Sequence, residues 1–210
     1  MSRRANPIEE RADEYDAWYD RHGPAYRSEL AAVRQMLDSP GRALEVGVGT
    51  ARFAASLGIR FGIDPAEAMA RRARDRGVRV ARAVGEGLPF PDRCFDAVLI
   101  ALTLCFFTSP AEALAETARV LRPDGRLVLA FLDPSSPAGR RYRERSRGPF
   151  YEGAEFQEPG AVERLLADTG FGAARTVQTI TRLPDELDAP EAPSAGTGSG
   201  LFVVVDARLR

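Results

Sequence analysis

The sequence predicts an α/β fold: a doubly wound, mainly parallel seven-stranded sheet that ends in a C-terminal antiparallel hairpin. Three observations predict it. Short apolar runs alternate with amphipathic segments between residues 43 and 131, as expected of strands covered on both faces and linked by helices. A glycine turn, Gly47-Val48-Gly49, connects the first of these runs to a helix-like segment. The last two apolar runs have no helical segment between them, so they should pair antiparallel.

In chain order, residues 8–19 and 25–37 read as two helices, broken at Gly23-Pro24 and ended by Ser39-Pro40-Gly41. Residues 43–46, 59–63, 78–84, 95–102 and 126–131 read as strands, and 51–57, 66–76 and 111–121 as the helices between them. Such alternation implies right-handed crossovers and a parallel sheet. Residues 134–160, rich in Pro, Gly and Arg, read as a loop or short helix over the sheet's edge. A helix over 161–169 ends at Gly170, and strands over 173–181 and 201–207 flank an irregular stretch, 183–200. Within that stretch, Gly196-Thr197-Gly198-Ser199-Gly200 precedes a strand and reads as a flexible tip rather than a phosphate loop. The chain is expected to form a single domain, with residues 8–38 as a helical lid and 134–160 as an insertion on the substrate side.

Composition narrows the function. The chain has 210 residues and a formal net charge of −1, so no overall basic field would hold nucleic acid or an anionic membrane. All 29 cationic side chains are arginine, which excludes lysine Schiff-base chemistry. The longest apolar stretch, 97–107, falls short of the roughly 18 residues a spanning helix needs. The opening Met1-Ser2-Arg3-Arg4 has no apolar run after it, so it is not expected to be an export signal. Cys94 and Cys105 bracket one predicted strand and would lie about 35 Å apart, too far for a disulfide. A reducing, cytoplasmic setting is expected.

The stretch from Ala43 to Phe53 is a strand, a glycine turn and the opening of a helix. The glycines let the backbone turn sharply and approach a ligand, and a helix N-terminus there suits an anionic group. The next strand ends in Gly62-Ile63-Asp64-Pro65, where an acid can accept both hydroxyls of a ribose. A nucleoside-containing cofactor follows, and NAD is one candidate. Two details count against a dinucleotide. Arg52 stands where that fingerprint needs a small residue, and Glu45 suits a cationic amino-acid ligand better than a pyrophosphate.

With these motifs in order, the chain resembles the class I S-adenosylmethionine (SAM)-dependent methyltransferases, in particular the small-molecule branch of the ubiquinone/menaquinone biosynthesis enzymes. The likeness runs from about residue 15 to 132. It is carried by residues 44–53, by GIDPAEAM at 62–69, by EGLPFPDRCFDAVL at 86–99 and by ARVLRPDGRLV at 118–128. It implies a Rossmann-like methyltransferase fold, SAM as cofactor with S-adenosylhomocysteine as product, and a small-molecule acceptor. No metal, nucleic acid or membrane is expected as a partner, and the chain is expected to act as a monomer or homodimer. Gly47 and Gly49 would bear the methionine part, Glu45 would lie near its ammonium, and Asp64 would take the ribose hydroxyls. Pro65 and Met69 would pack on adenine, and Tyr15 would reach the methionine end. Thr50, Gly85, Leu102 and Thr103 complete the expected cofactor residues. The chain departs from the family at Ala51, where a third glycine is usual, and a methyl in a first helical turn is expected to be tolerated. It departs again at Val84, where an acid usually receives the adenine amino group; that bond is expected to move to Glu86 or to a carbonyl beside Gly85.

Methyl transfer is expected to proceed by in-line displacement, which demands alignment and dryness more than a catalytic signature. His22, the only histidine, and Tyr19 are candidates for a general base, although a solvated histidine before a Gly-Pro break is the commoner arrangement. Trp18, Cys105, Phe106, Arg141 and Tyr142 are candidates for the substrate pocket. The arginines at 140, 141, 143, 145 and 147 form either a clamp for an acidic acceptor or a solvated charged helix. Where relatives often carry histidine, Cys105 and Phe106 leave an apolar wall, which points to an acceptor that is already nucleophilic, such as a thiol or amine, or one deprotonated by water. A non-catalytic SAM-binding or scaffold protein on the same fold is the rival reading.

Overall fold

The computed structural model describes residues 11–145 and 153–210. Residues 8–10 of the first expected helix, and Arg147, lie outside them. Helices α1 (Ala12–Arg21) and α2 (Gly23–Leu37) are separated by His22 alone. The break falls just before the expected Gly-Pro pair, because Pro24 sits in the first turn of α2, where a missing N–H breaks no helical bond.

The sheet has the order β3-β2-β1-β4-β5-β8-β6-β7. Strands β1 (Ala43–Val46), β2 (Phe61–Ile63), β3 (Arg79–Ala81), β4 (Phe95–Ala101) and β5 (Leu121–Leu132) run parallel. Strand β8 (Phe202–Leu209) inserts antiparallel between β5 and β6 (Phe171–Thr179). The parallel core and the antiparallel β6–β8 pair match the expectation, but the strand count does not. An eighth strand, β7 (Ser194–Ala195), pairs antiparallel with β6 inside the stretch expected to be irregular. Two residues carry no period-2 signal, so tertiary pairing alone makes this strand.

Other boundaries move as well, most of all in β3 and β5. β3 is shorter than expected because its partner β2 offers only three residues. β5 starts early, at Leu121, which pairs with Phe95 while Arg126 pairs with Ala97. The intervening Arg122-Pro123-Asp124-Gly125 is thereby looped out of register.

Side chains alternate across the sheet with period 2. Ala97, Leu99, Val128 and Ala130 meet a core formed with α2 and α3 (Arg52–Leu57). Val98, Ile100, Leu127 and Leu129 face the other way, onto α5 (Pro110–Val120) and α7 (Pro159–Asp168). The strand order reverses between β1 and β4, which opens a crevice beyond their C-terminal ends, the usual ligand position in such sheets. Helices α4 (Glu67–Asp75) and α6 (Pro137–Arg145) follow β2 and β5 on that same end.

Candidate active site

The turn after β1 is held by the strand beside it. The N–H groups of Gly47 and Val48 both donate to the Ile63 carbonyl, at 2.9 and 2.8 Å. Gly47 has φ +72°, and a β-carbon on it would lie 2.2 Å from Thr103 Cγ2. Glycine is therefore required there twice over. The Thr103 hydroxyl donates to the Gly47 carbonyl at 3.2 Å, joining the ends of β1 and β4. Gly49 is also left-handed, and its N–H donates to Asp64 Oδ2 at 2.9 Å. Asp64 Oδ1 accepts from the Ala66 N–H at 2.8 Å. A carboxylate oxygen can accept more than one bond, so Asp64 can also take ribose hydroxyls while it anchors the turn.

Ala51 does not sit in a helical first turn, as expected, but at φ +63°, preceding α3. The third position of the turn is thus left-handed like the first two, which is the physical reason a glycine suits it.

Glu45, on β1 beneath the turn, is 2% exposed, and its Oε2 has no hydrogen-bond partner among the described residues. Burial drives its pKa well above the usual carboxylate range; the Ala54 N–H opposes this, and the charge of Asp64 adds to it. A buried acceptor left open is costly unless a ligand completes it, and a cationic ligand fits best. The cradle thus suits the ammonium and ribose of a SAM-like molecule: an orphaned acid, a turn with no room for a side chain at Gly47, and an acid at the next strand tip.

Helix α1 covers this turn. The Tyr15 ring lies over Gly49, and its hydroxyl meets that of Tyr19 at 2.8 Å. Burial raises the Tyr15 pKa, with the charges of Glu29, Glu45 and Asp64 adding to it. Met69 is buried against Ala12, Ala66 and Tyr15, while Pro65 is exposed. Tyr19 is a core residue, ringed by Trp18, Tyr26 and Phe53. His22 stacks on Trp18 at 4.5 Å, and its Nδ1 bonds the Trp18 carbonyl. A carbonyl only accepts, so Nδ1 carries the proton and Nε2 is the basic nitrogen.

Several expected site residues have other partners. Thr50 donates its hydroxyl to Asp16 at 2.7 Å, away from the turn. Glu86 accepts the N–H groups of Thr108 and Ser109, at 2.7 and 3.1 Å, so it fastens the start of α5. Val84 is exposed, and Gly85 leaves room for the Phe107 ring. Leu102 is left-handed and buried, its N–H bonded to Ala130. Arg141 forms a two-pronged pair with Glu186, which Arg145 joins, tying α6 to the turn at Pro184–Glu186. Cys105 and Leu102, with Leu104, Phe131, Leu132, Phe156 and Gln157, line a cavity of about 10 Å³. Burial pushes the Cys105 thiol up to about 12. Phe106 is more exposed, and burial pushes Tyr142 up to about 12, with Glu29 adding to the shift.

Sequence reasoning missed the device that holds α1 down. Asp16 accepts bonds from Thr50, from Arg52 Nε and Nη2, and from Arg76 Nη2, all between 2.7 and 2.9 Å. Burial alone would raise its carboxyl, but these donors hold it well below the usual range. Arg52 also pairs with Asp20, and Arg72 with Asp13. Asp13, Asp16 and Asp20 recur at helical spacing opposite Arg52, Arg72 and Arg76, a signal visible in the sequence once the facing elements are known.

Comparison with known proteins matches this geometry. Residues 44–129 fit a family model described as a methyltransferase domain. A Thermotoga maritima crystal structure described as a "SAM-dependent methyltransferase, possible histamine N-methyltransferase" is 38% identical, covering 97% of this chain and 99% of its own with a TM-score of 0.93. The chain belongs to the SAM-dependent methyltransferases. A demethylmenaquinone methyltransferase of Thermus thermophilus is 37% identical over 171 residues, 75% of this chain and 70% of that protein. An uncharacterised protein of Methanocaldococcus jannaschii is 37% identical over 203 residues, 96% and 98% of the two chains. This methyltransferase therefore uses SAM, and its glycine turn lies in the matched region. Among the described residues no helix is long and apolar enough to cross a membrane, and no cluster of His, Cys, Asp or Glu could hold a metal ion.

Proposed function

We propose that this methyltransferase transfers the methyl group of SAM to a small-molecule acceptor by in-line displacement in the crevice beyond β1 and β4. The observation that carries the reading is the buried, partly unsatisfied Glu45 beneath a left-handed turn tied to Asp64. SAM supplies the electrophilic methyl, so the protein's task is alignment and exclusion of water. Glu45 would meet the ammonium, Gly47 and Gly49 would let the backbone approach, and Asp64 would accept the ribose hydroxyls. Tyr15 would close the methionine end. The apolar wall of Leu102, Leu104, Phe131 and Leu132 would keep the acceptor's side dry. Thr50 and Glu86, being engaged elsewhere, are left out of the binding set. The free thiols Cys94 and Cys105 support action in a reducing compartment such as the cytoplasm.

Thermal melts with SAM, S-adenosylhomocysteine and NAD test this. At about 100 times its Kd, S-adenosylhomocysteine should add about 2.7 kcal/mol of stability, a Tm rise of about 5–10 °C in a domain of this size. Asp64→Asn should weaken S-adenosylhomocysteine about 10- to 100-fold, the range of a lost charged hydrogen bond. Stabilisation by NAD with indifference to S-adenosylhomocysteine would overturn the reading.

A further inference from the structure

Helix α2 buries a stripe of Ala25, Glu29, Ala32, Val33 and Met36, and Glu29 is the helix's only acid. Glu29 is 3% exposed, and its Oε2 has no hydrogen-bond partner among the described residues. No described cation pairs with it: Arg52 and Arg76, which fasten α1 nearby, are engaged by Asp16 and Asp20. A carboxyl held this way in an apolar stripe is expensive and calls for a ligand. Its charge bears on the hydroxyls of Tyr15, Tyr26 and Tyr142, each of which is raised by burial first. Tyr15 lies over the glycine turn, and Tyr142 lies on α6, which follows β5. Tyr15 and Tyr142 pack against the same core as Ala25, Ala32, Val33 and Met36 of α2, so the stripe carrying Glu29 shares its buried face with one tyrosine over the cofactor turn and one on α6. The cofactor's own cation already has Glu45; of the other buried acids with an unpartnered oxygen, Asp133 is bonded by Ser135 and Asp206 is paired with Arg175, so Glu29 is left without a partner among the described residues.

Resting on the methyl-transfer reading above, we propose that Glu29 is the recognition carboxylate for the methyl acceptor and that the acceptor is a cationic amine. As the amine enters as an ammonium, the resting Glu29 carboxylic acid gives its proton to solvent and pairs with it as a carboxylate. One N–H proton passes to that carboxylate and frees the nitrogen lone pair. The lone pair forms the N–CH₃ bond as the S–CH₃ bond breaks, and the bonding electrons stay on sulfur to leave the neutral thioether. The product departs as a methylammonium, and Glu29 is left as the carboxylic acid it was at rest. A thiolate or phenolate would instead meet Glu29 with no cation to offset the repulsion.

The test compares wild type, Glu29→Gln and Glu29→Asp. Methyl transfer is measured to phenethylamine, tyramine and putrescine against catechol and thiophenol, with S-adenosylhomocysteine affinity by calorimetry and Tm alongside. Wild type should methylate an amine nitrogen. Glu29→Gln should lower kcat/KM for that amine about 30- to 100-fold, the scale of a lost charged hydrogen bond, and Glu29→Asp should restore part of it. S-adenosylhomocysteine affinity should stay within about twofold, and Tm should not fall, because no described donor loses a partner. Methylation of catechol or thiophenol alone, no methylation of any probe, or an unchanged kcat/KM in Glu29→Gln overturns the inference and leaves the cofactor reading standing. Failure of wild type to bind S-adenosylhomocysteine overturns both.

Discussion

Replacing Asp16 by alanine removes the anchor between α1 and the glycine turn, and its cost can be worked from the contacts. The Asp16 side chain is 10% exposed and accepts four hydrogen bonds, three of them from arginines. Breaking a buried ion pair costs about 3–5 kcal/mol, largely because the abandoned partner stays buried. Here the partners are not abandoned. Arg52 keeps Asp20 and the Asp16 carbonyl, and Arg76 keeps the Thr50 carbonyl. Only the buried Thr50 hydroxyl is left without its hydrogen-bond acceptor. The lower end, about 3 kcal/mol, is therefore expected, equivalent to a Tm loss of about 6–12 °C if α1 melts with the whole domain. If α1 undocks by itself, Tm moves little, and hydrogen exchange at the α1 amides speeds up instead. In both cases S-adenosylhomocysteine should bind more weakly, since Tyr15 travels with α1. The pH dependence has a definite sign. The folded-state pKa of Asp16 is depressed, so its stabilisation is full above the unfolded value near 3.9 and fades as pH falls below it. The gap between wild type and Asp16→Ala should close on acidification below about pH 4. Unchanged Tm together with unchanged α1 exchange at neutral pH would refute the reasoning.

Gly47→Ala should cost about 3 kcal/mol in urea melts with an unchanged m value, combining left-handed strain with displacement of Thr103. Gly49→Ala, whose β-carbon would stand 3.7 Å from the Tyr15 ring, should cost only about 1–2 kcal/mol. Equal losses would mean that the Gly47–Thr103 contact is not tight. Glu29, held by burial at a pKa of about 8, stays protonated in the fold after the unfolded chain has ionised. Stability should therefore fall as pH rises from about 4.5 to about 8, by at most about 5 kcal/mol from this group. Glu29→Gln should make that slope shallower without removing it, because burial also raises Glu45, while Tyr15, Tyr26 and Tyr142 titrate above this window, burial raising their pKa values from 10. A melting profile with the same slope in both proteins would contradict this.

The glycine turn and the acid at the next strand tip were legible because their geometry is local. Glu45, Gly47, Gly49 and Asp64 each sit at a strand end, and a strand followed by a glycine turn is written in consecutive residues. The partners of Thr50 and Glu86 were not legible for one shared reason: Asp16 and the N–H groups of Thr108 and Ser109 lie more than 20 residues away in sequence. Arg52 was informative but incompletely read. Its bulk argued against a dinucleotide turn, yet its side chain lies against α1 and binds that helix.

From the sequence by itself came the alternating α/β plan, the parallel core, the antiparallel end and the SAM-type turn, because hydrophobic period and glycine placement act over neighbouring residues. Only the tertiary structure decided the eighth strand, the left-handed Ala51, the Asp16 anchor and the orphaned Glu29. Each of these depends on which distant groups share a buried space, where an unpaired charge is costly and a single contact decides its state.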